Sequence, residues 1–289
     1  DFRRFNAPTV LLLDAPGRSF RSGQACLLKI LVSRFEDAPE DGAQLRWALW
    51  DGDRELDQGV RNDLRVNDAG VQELETLSVR MPSLPRARKL KLRVELRGLV
   101  KTQNEWNLWV FPEAPEAPNG PDLRVAARLD ASVLERLEKG DRVLLLDPEG
   151  VFPTEKTNYR LSSWDGGGPS GTVIDAGHPA LRGMPHDGWA DLHFYPLIQG
   201  SKSVFLEPLP AHIEPIVRCI DRPNRLAHRA YLFEAAVGRG KLLVSGFNLS
   251  RSEPATEFLL GELKRYASGP EFAPTAEIPV QWLRGRLKP

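Results

Sequence analysis

Five histidines, His178, His186, His193, His212 and His228, are the first residues of this chain to test for chemistry. Imidazole is the commonest metal ligand and the usual general base near neutral pH. Three of them fall with Asp187 and Asp191 inside a window of 16 residues, His178 to His193. A metal pair would want His-x-x-x-His on a helix or His-x-His on a strand. The spacing here is neither, and Pro179 and Pro185 interrupt the segment. Loop duty is therefore expected, with His178-Pro179 fixing a turn at the start of a short helix, and no metal is assigned.

The nucleophiles fare no better. A Cys-His hydrolase or amidotransferase needs its thiol on a tight, glycine-flanked turn, where backbone amides can approach the oxyanion. Cys219 stands between Arg218 and Ile220 with no glycine near, and Cys26 lies in the apolar run "ACLLKILV". Both read as small buried hydrophobes, and two cysteines make neither a disulfide framework nor a thiolate metal site. Ser245-Gly246 follows Val244 inside a strand, without the G-x-S-x-G turn. Gly166-Gly167-Gly168 lacks the Lys-Ser/Thr and helix of a P-loop and reads as a surface loop. Glu155, Glu207, Glu214 and Glu234 could serve glycoside cleavage only if paired across a cleft, and nothing in the sequence pairs them. Two loop tryptophans flanked by carboxylates, Trp164 beside Asp165 and Trp189 near Asp187 and Asp191, are the candidates for stacking on a sugar. Ordinary packing is the competing reading. No catalytic residue and no cofactor are assigned.

The elements that would position these groups fall into two kinds. In the first 112 residues short strands follow one another between turns. Leu90, Leu92, Val94 and Leu96 face one way in "KLKLRVELRG", with charged residues facing the other, the period-two mark of a sheet with one wet face. Further strands are expected at "TVLLLD", "ACLLKILVSRF", "QLRWALWD" (turning at Asp51-Gly52) and "TLSVRMP". About seven strands in this length predict an immunoglobulin-like β-sandwich for 1–112. Residues 113–121, "EAPEAPNGP" from Glu113 to Pro121, read as a proline-rich linker.

Past the linker the pattern becomes strand, helix, strand. "LRVAA" is followed by a helix capped by Asp130 and closed by Gly140, then by "RVLLL". A right-handed crossover onto a largely parallel central sheet with an antiparallel addition is expected. Later come a hairpin through Gly238-Arg239-Gly240 and a helix entered at Pro254 and running to Tyr266. Residues 122–270 are predicted to form a three-layer α/β domain of flavodoxin or class I amidotransferase type, and 271–289 a C-terminal extension.

One strand breaks the one-wet-face rule. In "NEWNLWVFP", Trp106, Leu108 and Val110 share one face, and Asn107, Trp109 and Phe111 the other. Trp50 similarly interrupts the polar face of "QLRWALWD". Aromatic residues on both faces imply a surface covered by another folded unit, so Trp50, Trp106, Trp109 and Phe111 are assigned to a domain interface. Asn104, Trp106, Trp109, Val110, Phe111 and Pro112 also resemble the "N-x-W-x-x-W-V-[YF]-P" strand of bacterial enzymes of the glycoside hydrolase family two type, the relatives of β-galactosidase, β-mannosidase and β-glucuronidase. "RFNAPTVLLL" resembles the start of their post-barrel sandwich. His178-Pro179-Ala180-Leu181, "FEAAVGRGKLLVSGFNL", the helix around Pro254 and "GPEFAP" resemble an extra α/β region carried by some of them. The resemblance implies a non-catalytic C-terminal piece of a bacterial enzyme, periplasmic or secreted, whose catalytic (β/α)₈ barrel is the partner and lies outside this chain.

Composition narrows the alternatives. Charge is balanced at 39 basic against 39 acidic residues, which argues against nucleic acid. No apolar run approaches the ~20 residues that span a bilayer. The start at Asp1, running at once into "APTVLLLDAP", reads as part of a longer protein. Two other functions remain open: a carbohydrate-binding module using Trp164 and Trp189, and an independent amidotransferase-like enzyme with a nucleophile or phosphate nest at the carboxyl ends of its parallel strands.

Overall fold

The computed structural model describes residues 6–98, 101–115, 123–159 and 169–287. It forms two compact units, Asp1–Glu113 and Ala114–Pro289, mostly of β-sheet with few helices.

The first unit comprises β1 (Thr9–Asp14), β2 (Ser19–Arg21), β3 (Ala25–Phe35), β4 (Glu40–Asp51), β5 (Arg54–Val66), β6 (Ala69–Arg80), β7 (Arg88–Arg97) and β8 (Thr102–Phe111). They make a three-stranded sheet, β1-β3-β6, and a five-stranded one, β2-β8-β7-β4-β5. Alternation decides what each sheet buries. Leu90, Leu92, Val94 and Leu96 of β7 share one core with Leu28, Ile30 and Val32 of β3. Asn104 ties the sheets together, its side-chain amide donating to the Leu11 carbonyl of β1 at 2.9 Å. A pair of opposite charges, Arg34 and Glu40, is buried here at 2.8 Å.

Two strands were absent from the expected series. β2 is three residues long and pairs parallel with β8, too short to show a period. β5 places its apolar residues Leu56, Val60 and Leu64 four apart, a spacing closer to a helix than to a strand. The Asp51-Gly52 turn, with Gly52 at φ 57, folds it back onto β4. Register shifts at Glu40/Ala43, Ala43/Leu45 and Leu49/Trp50 then bring Leu56 and Leu64 to the core and leave Val60 outside. Ladder pairing overrides local pattern here.

The second unit runs through β9 (Leu123–Ala126), α1 (Ala131–Lys139), β10 (Arg142–Leu145), β11 (Thr154–Thr157), β12 (Gly171–Ile174), α2 (Tyr195–Ile198), β13 (Ser201–Phe205), β14 (Val217–Ile220), β15 (His228–Val237), β16 (Gly240–Ser245), α3 (Pro254–Ser268) and α4 (Val280–Arg284). Asp130 caps α1 by accepting from the Val133 N–H, and Gly140 ends it at φ 113, a backbone state that costs glycine little. The β9-α1-β10 crossover is parallel, as its spacing predicts. The largely parallel sheet, however, is not what forms. Only β9, β10 and β16 run parallel, and β11 to β15 pair antiparallel. Much of the antiparallel half, β11 to β13, comes from the irregular middle of the sequence, where strands of four or five residues carry no legible period.

Helices lie on both faces of the parallel part. Val133, Leu134 and Leu137 of α1 join Val143, Leu145, Leu242 and Val244 in one core. On the other face Tyr266 of α3 bonds Glu234 of β15. The expected C-terminal extension belongs to the unit's core, since Ile278 and Leu283 are fully buried in it.

The antiparallel half is locked by buried ions. Arg229, 1% exposed, pairs with Asp221 at 2.7 Å and Glu155 at 2.8 Å. Arg225 joins the same two carboxylates at 2.6 Å each. Both guanidinium groups lie over the Phe205 ring, at 4.8 and 4.9 Å from its centre. Hydrogen bonds from Arg225, then from the Ala227 N–H and Arg229, overcome the cost of burial and hold the Asp221 carboxyl far below the usual carboxylate range. Removing one partner of such a cluster strands the other charges. Asp221→Asn is expected to cost about 3–5 kcal/mol in urea unfolding at neutral pH. A carboxyl depressed in the folded state stabilises it above its unfolded value, about 3.9, and that contribution fades as pH falls below. Wild-type stability should therefore drop through acid pH by an amount missing from the Asn variant.

Candidate functional site

In doubly wound sheets ligands sit beyond the carboxyl ends of the parallel strands. Here those ends are Ala126, Leu145 and Ser245. A cavity of about 380 Å³ lies beside the first two, lined by Arg128, Asp130, Asp147, Glu149 and Leu287 among others. Its carboxylates are already engaged. Lys202 from β13 donates to both oxygens of Asp147, at 2.8 and 2.9 Å, and pairs with Glu149 at 2.6 Å. Burial disfavours the Lys202 charge, but these acceptors outweigh it and raise the ammonium pKa; Lys202 in turn lowers that of Glu149. Asp130 is committed to the helix cap.

At the third strand end Ser245 is fully buried. Gly246 is wedged between strands: its N–H donates to the Tyr231 carbonyl, and its carbonyl accepts from the Lys202 N–H. A Cβ at Gly246 would overlap the Lys202 carbonyl. The serine-glycine step is thus a close packing point, not an exposed nucleophile. Cys219 is 1% exposed, and burial pushes its thiol pKa up, the reverse of an activated thiolate. Cys26 is likewise buried.

The histidines fix turns, as the sequence implies. Nδ1 of His178 accepts from the Ala180 N–H, capping the helical turn Pro179–Leu181, and Nδ1 of His186 accepts from the Gly188 N–H. His193 Nε2 lies 2.7 Å from the Pro185 carbonyl. Among the described residues no three His, Cys, Asp or Glu side chains come together to hold a metal. The glutamates are equally occupied. Glu155 belongs to the buried ion cluster, Glu207 accepts from the His228 N–H, and Glu214 pairs with His212 and Arg218. Glu234 is the one with unusual chemistry. It accepts from the Tyr266 hydroxyl at 2.6 Å and lies 3.9 Å from His178 Nε2. Burial raises its pKa and lowers that of His178.

The aromatic candidates separate into classes that the sequence could not distinguish. Trp164 and Asp165 lie outside the described residues. Trp189 is 56% exposed, with Leu192 and Tyr195 also exposed nearby in sequence. Asp191 caps the turn Leu192–Phe194 through the Leu192 N–H; burial, and then the Asp191 charge, raise the pKa of Tyr159, whose ring meets Tyr195 edge-on at 5.7 Å. Trp106 packs on the sandwich's own core, together with Trp47. Trp109 and Phe111 are each 1% exposed, on the strand face that points away from that core. Trp50 is half-buried on the outer face of the five-stranded sheet, under the guanidinium of Arg93. Sequence reasoning missed the hollow beside Trp50, whose only signal is Ala48 among long side chains.

Comparison with known proteins adds a family but no chemistry. Residues 25–112 match the family described as Domain of unknown function (DUF8488). Residues 124–288, more than half of the chain, match Domain of unknown function (DUF8487). The chain belongs to the DUF8487 family. No curated protein matches it. Similar solved structures include the sporulation control protein Spo0M of Bacillus subtilis, at TM-score 0.27 and 9% identity, aligning 36% of this chain with 50% of that one. A CARDB domain from Pyrococcus furiosus aligns at TM-score 0.27 and 9% identity over 36% of this chain and 91% of its own. A β-glucuronidase of Parabacteroides merdae aligns at TM-score 0.26 and 11% identity, over 48% of this chain and 21% of the enzyme. This DUF8487 member thus spans half of Spo0M and about a fifth of the glucuronidase.

Burial separates the tryptophans by experiment. Trp109→Ala should cost about 3–5 kcal/mol of stability, whereas Trp189→Ala should change it by less than about 0.5 kcal/mol. Chemical unfolding of the two variants measures both.

Proposed function

We propose that this DUF8487 protein is a non-catalytic accessory piece of a carbohydrate-degrading enzyme, supporting a catalytic (β/α)₈ barrel and shaping access to its cleft. The observation that carries the reading is the closing strand. Trp109 and Phe111 are each 1% exposed although they lie on the face opposite the sandwich core. An antiparallel strand with one wet face would carry polar residues there. A strand apolar on both faces suits a sandwich that is one layer of a larger assembly, and it is this strand that resembles family two glycoside hydrolases. The strand order β8-β7-β4-β5 beside β1-β3-β6 supports an immunoglobulin-like type for the first unit. Helices on both faces of β9, β10 and β16 support an amidotransferase-like origin for the second, with an antiparallel elaboration.

A second reading, a carbohydrate-binding module, is favoured by Trp189, 56% exposed and close in sequence to Asp187 and Asp191. An independent amidotransferase-like enzyme is the least supported, since the serine and cysteine nearest its strand ends are buried.

Purified chain is expected to leave a panel of aryl glycosides, aryl esters and glutamine unhydrolysed across pH. Turnover that follows this protein through repurification and is removed by a single substitution within it would overturn the accessory role.

A further inference from the structure

We propose that the outer face of the five-stranded sheet holds a groove for a neutral, polyhydroxylated ligand, an oligosaccharide of uncharged sugars. The site goes beyond the accessory role and does not depend on it.

The groove is a consequence of one small residue. Across β4 and β7 the ladder sets Arg46 opposite Glu95, Ala48 opposite Arg93 and Trp50 opposite Lys91. Across β7 and β8 it sets Arg93 opposite Glu105 and Glu95 opposite Gln103. Side chains at these positions share one face. Ala48 therefore sits as a short side chain among long ones, and the hollow over it measures about 440 Å³. It is lined entirely by residues of the first unit.

The lining chemistry selects the ligand. Trp50 supplies an apolar wall, with the Arg93 guanidinium 5.1 Å from the ring centre. Its indole N–H is buried with no acceptor in the protein. Glu105 pairs with Lys91 at 3.0 Å and with Arg93 at 3.5 Å. Glu95 pairs with Arg97 at 2.6 Å and Lys101 at 3.2 Å, and the Arg97 hydrogen bond, ahead of opposing burial, keeps it ionised. Each of these carboxylates already has two cations. A charged peptide or phosphate would have to displace one of these partners. Hydroxyl groups need not, because a neutral hydroxyl can donate to a carboxylate that keeps its cations and accept from guanidinium and amide N–H groups. A ring with an apolar face and a hydroxyl rim matches a tryptophan wall set among such groups.

The test is a titration of the ¹⁵N-labelled chain with cellotriose, xylotriose, mannotriose and maltotriose at millimolar concentration. At least one should give saturable shifts at the backbone amides of residues 46–50, 91–95 and 103–105. Trp50→Ala should weaken that binding about tenfold or more. Ala48→Arg, which fills the hollow from an outward position and deletes no contact, should abolish it. The idea fails if no neutral trisaccharide gives saturable shifts, or if shifts arise only around residues 187–195. It also fails if the Ala48→Arg chain binds normally, or if only charged hexapeptides perturb these amides. The hydrolysis panel bears on the accessory role alone, so either reading can fail without the other.

Discussion

Between Leu108 and Phe111 the closing strand of the sandwich is buried on both faces, and much of the first unit follows from how the two faces are filled. The inward face is ordinary: Leu108 and Val110 join the core, and Trp106 packs at its margin. Asn104 then pins β8 to β1 through a side-chain bond that crosses from one sheet to the other. That bond fixes how the strand enters the sandwich. The outward face is different: Trp109 and Phe111 are each 1% exposed there. Their burial is not supplied by the sandwich core. A motif that resembles an enzyme family's closing strand thus resolves into separate jobs, a clasp, a core and a covered outer face, none of which is chemical.

In the second unit the corresponding constraint is electrostatic. The parallel strands are held by apolar packing against α1, which needs no special residues beyond Val133, Leu134 and Leu137. The antiparallel half has short strands and a register shift between Val217 and Arg218. Its specificity comes from Arg229, which can be buried only where Asp221 and Glu155 meet it. That pins β11 and β15 to the end of β14. Buried ion clusters add little net stability over an apolar core of the same shape, but they penalise every arrangement that leaves a charge alone.

How much of this could be read in advance depended on whether a residue's partner was near in sequence. The α1 caps Asp130 and Gly140, the hairpin at Gly238, the turn at Asp51-Gly52 and the alternation of β7 are local features, and each has its expected form. β5 was illegible because its apolar spacing is wrong for a strand and its conformation is imposed by β4. The parallel sheet was overestimated because a strand-helix-strand unit predicts its own crossover and says nothing about what pairs beyond the β15-β16 hairpin. Among the aromatic candidates, sequence could flag Trp50, Trp106, Trp109 and Trp189 as unusual. It could not assign one to a core margin, one to a groove, one to a covered face and one to solvent, since that division depends on ladder partners distant in sequence, such as Ser19 for Trp109.

The polar side chains tell a consistent story about activity. Catalysis uses groups whose preferred charge state is disturbed and which face a space that a reactant can enter. Among the described residues, the shifted carboxylates that border a space, Glu149 and Glu95, are each matched by cations. Asp147 and Glu149 border a cavity but are matched by Lys202. Asp221 is strongly perturbed but sealed by two arginines. Glu234 comes nearest, a carboxyl raised by burial beside an imidazole that burial keeps neutral. Yet the oxygen that faces this imidazole, Oε2, already accepts from the Tyr266 hydroxyl of α3. The outer groove of the sandwich reverses the combination, with an open space, paired charges and one unsatisfied indole donor. That combination is what the proposed sugar groove uses.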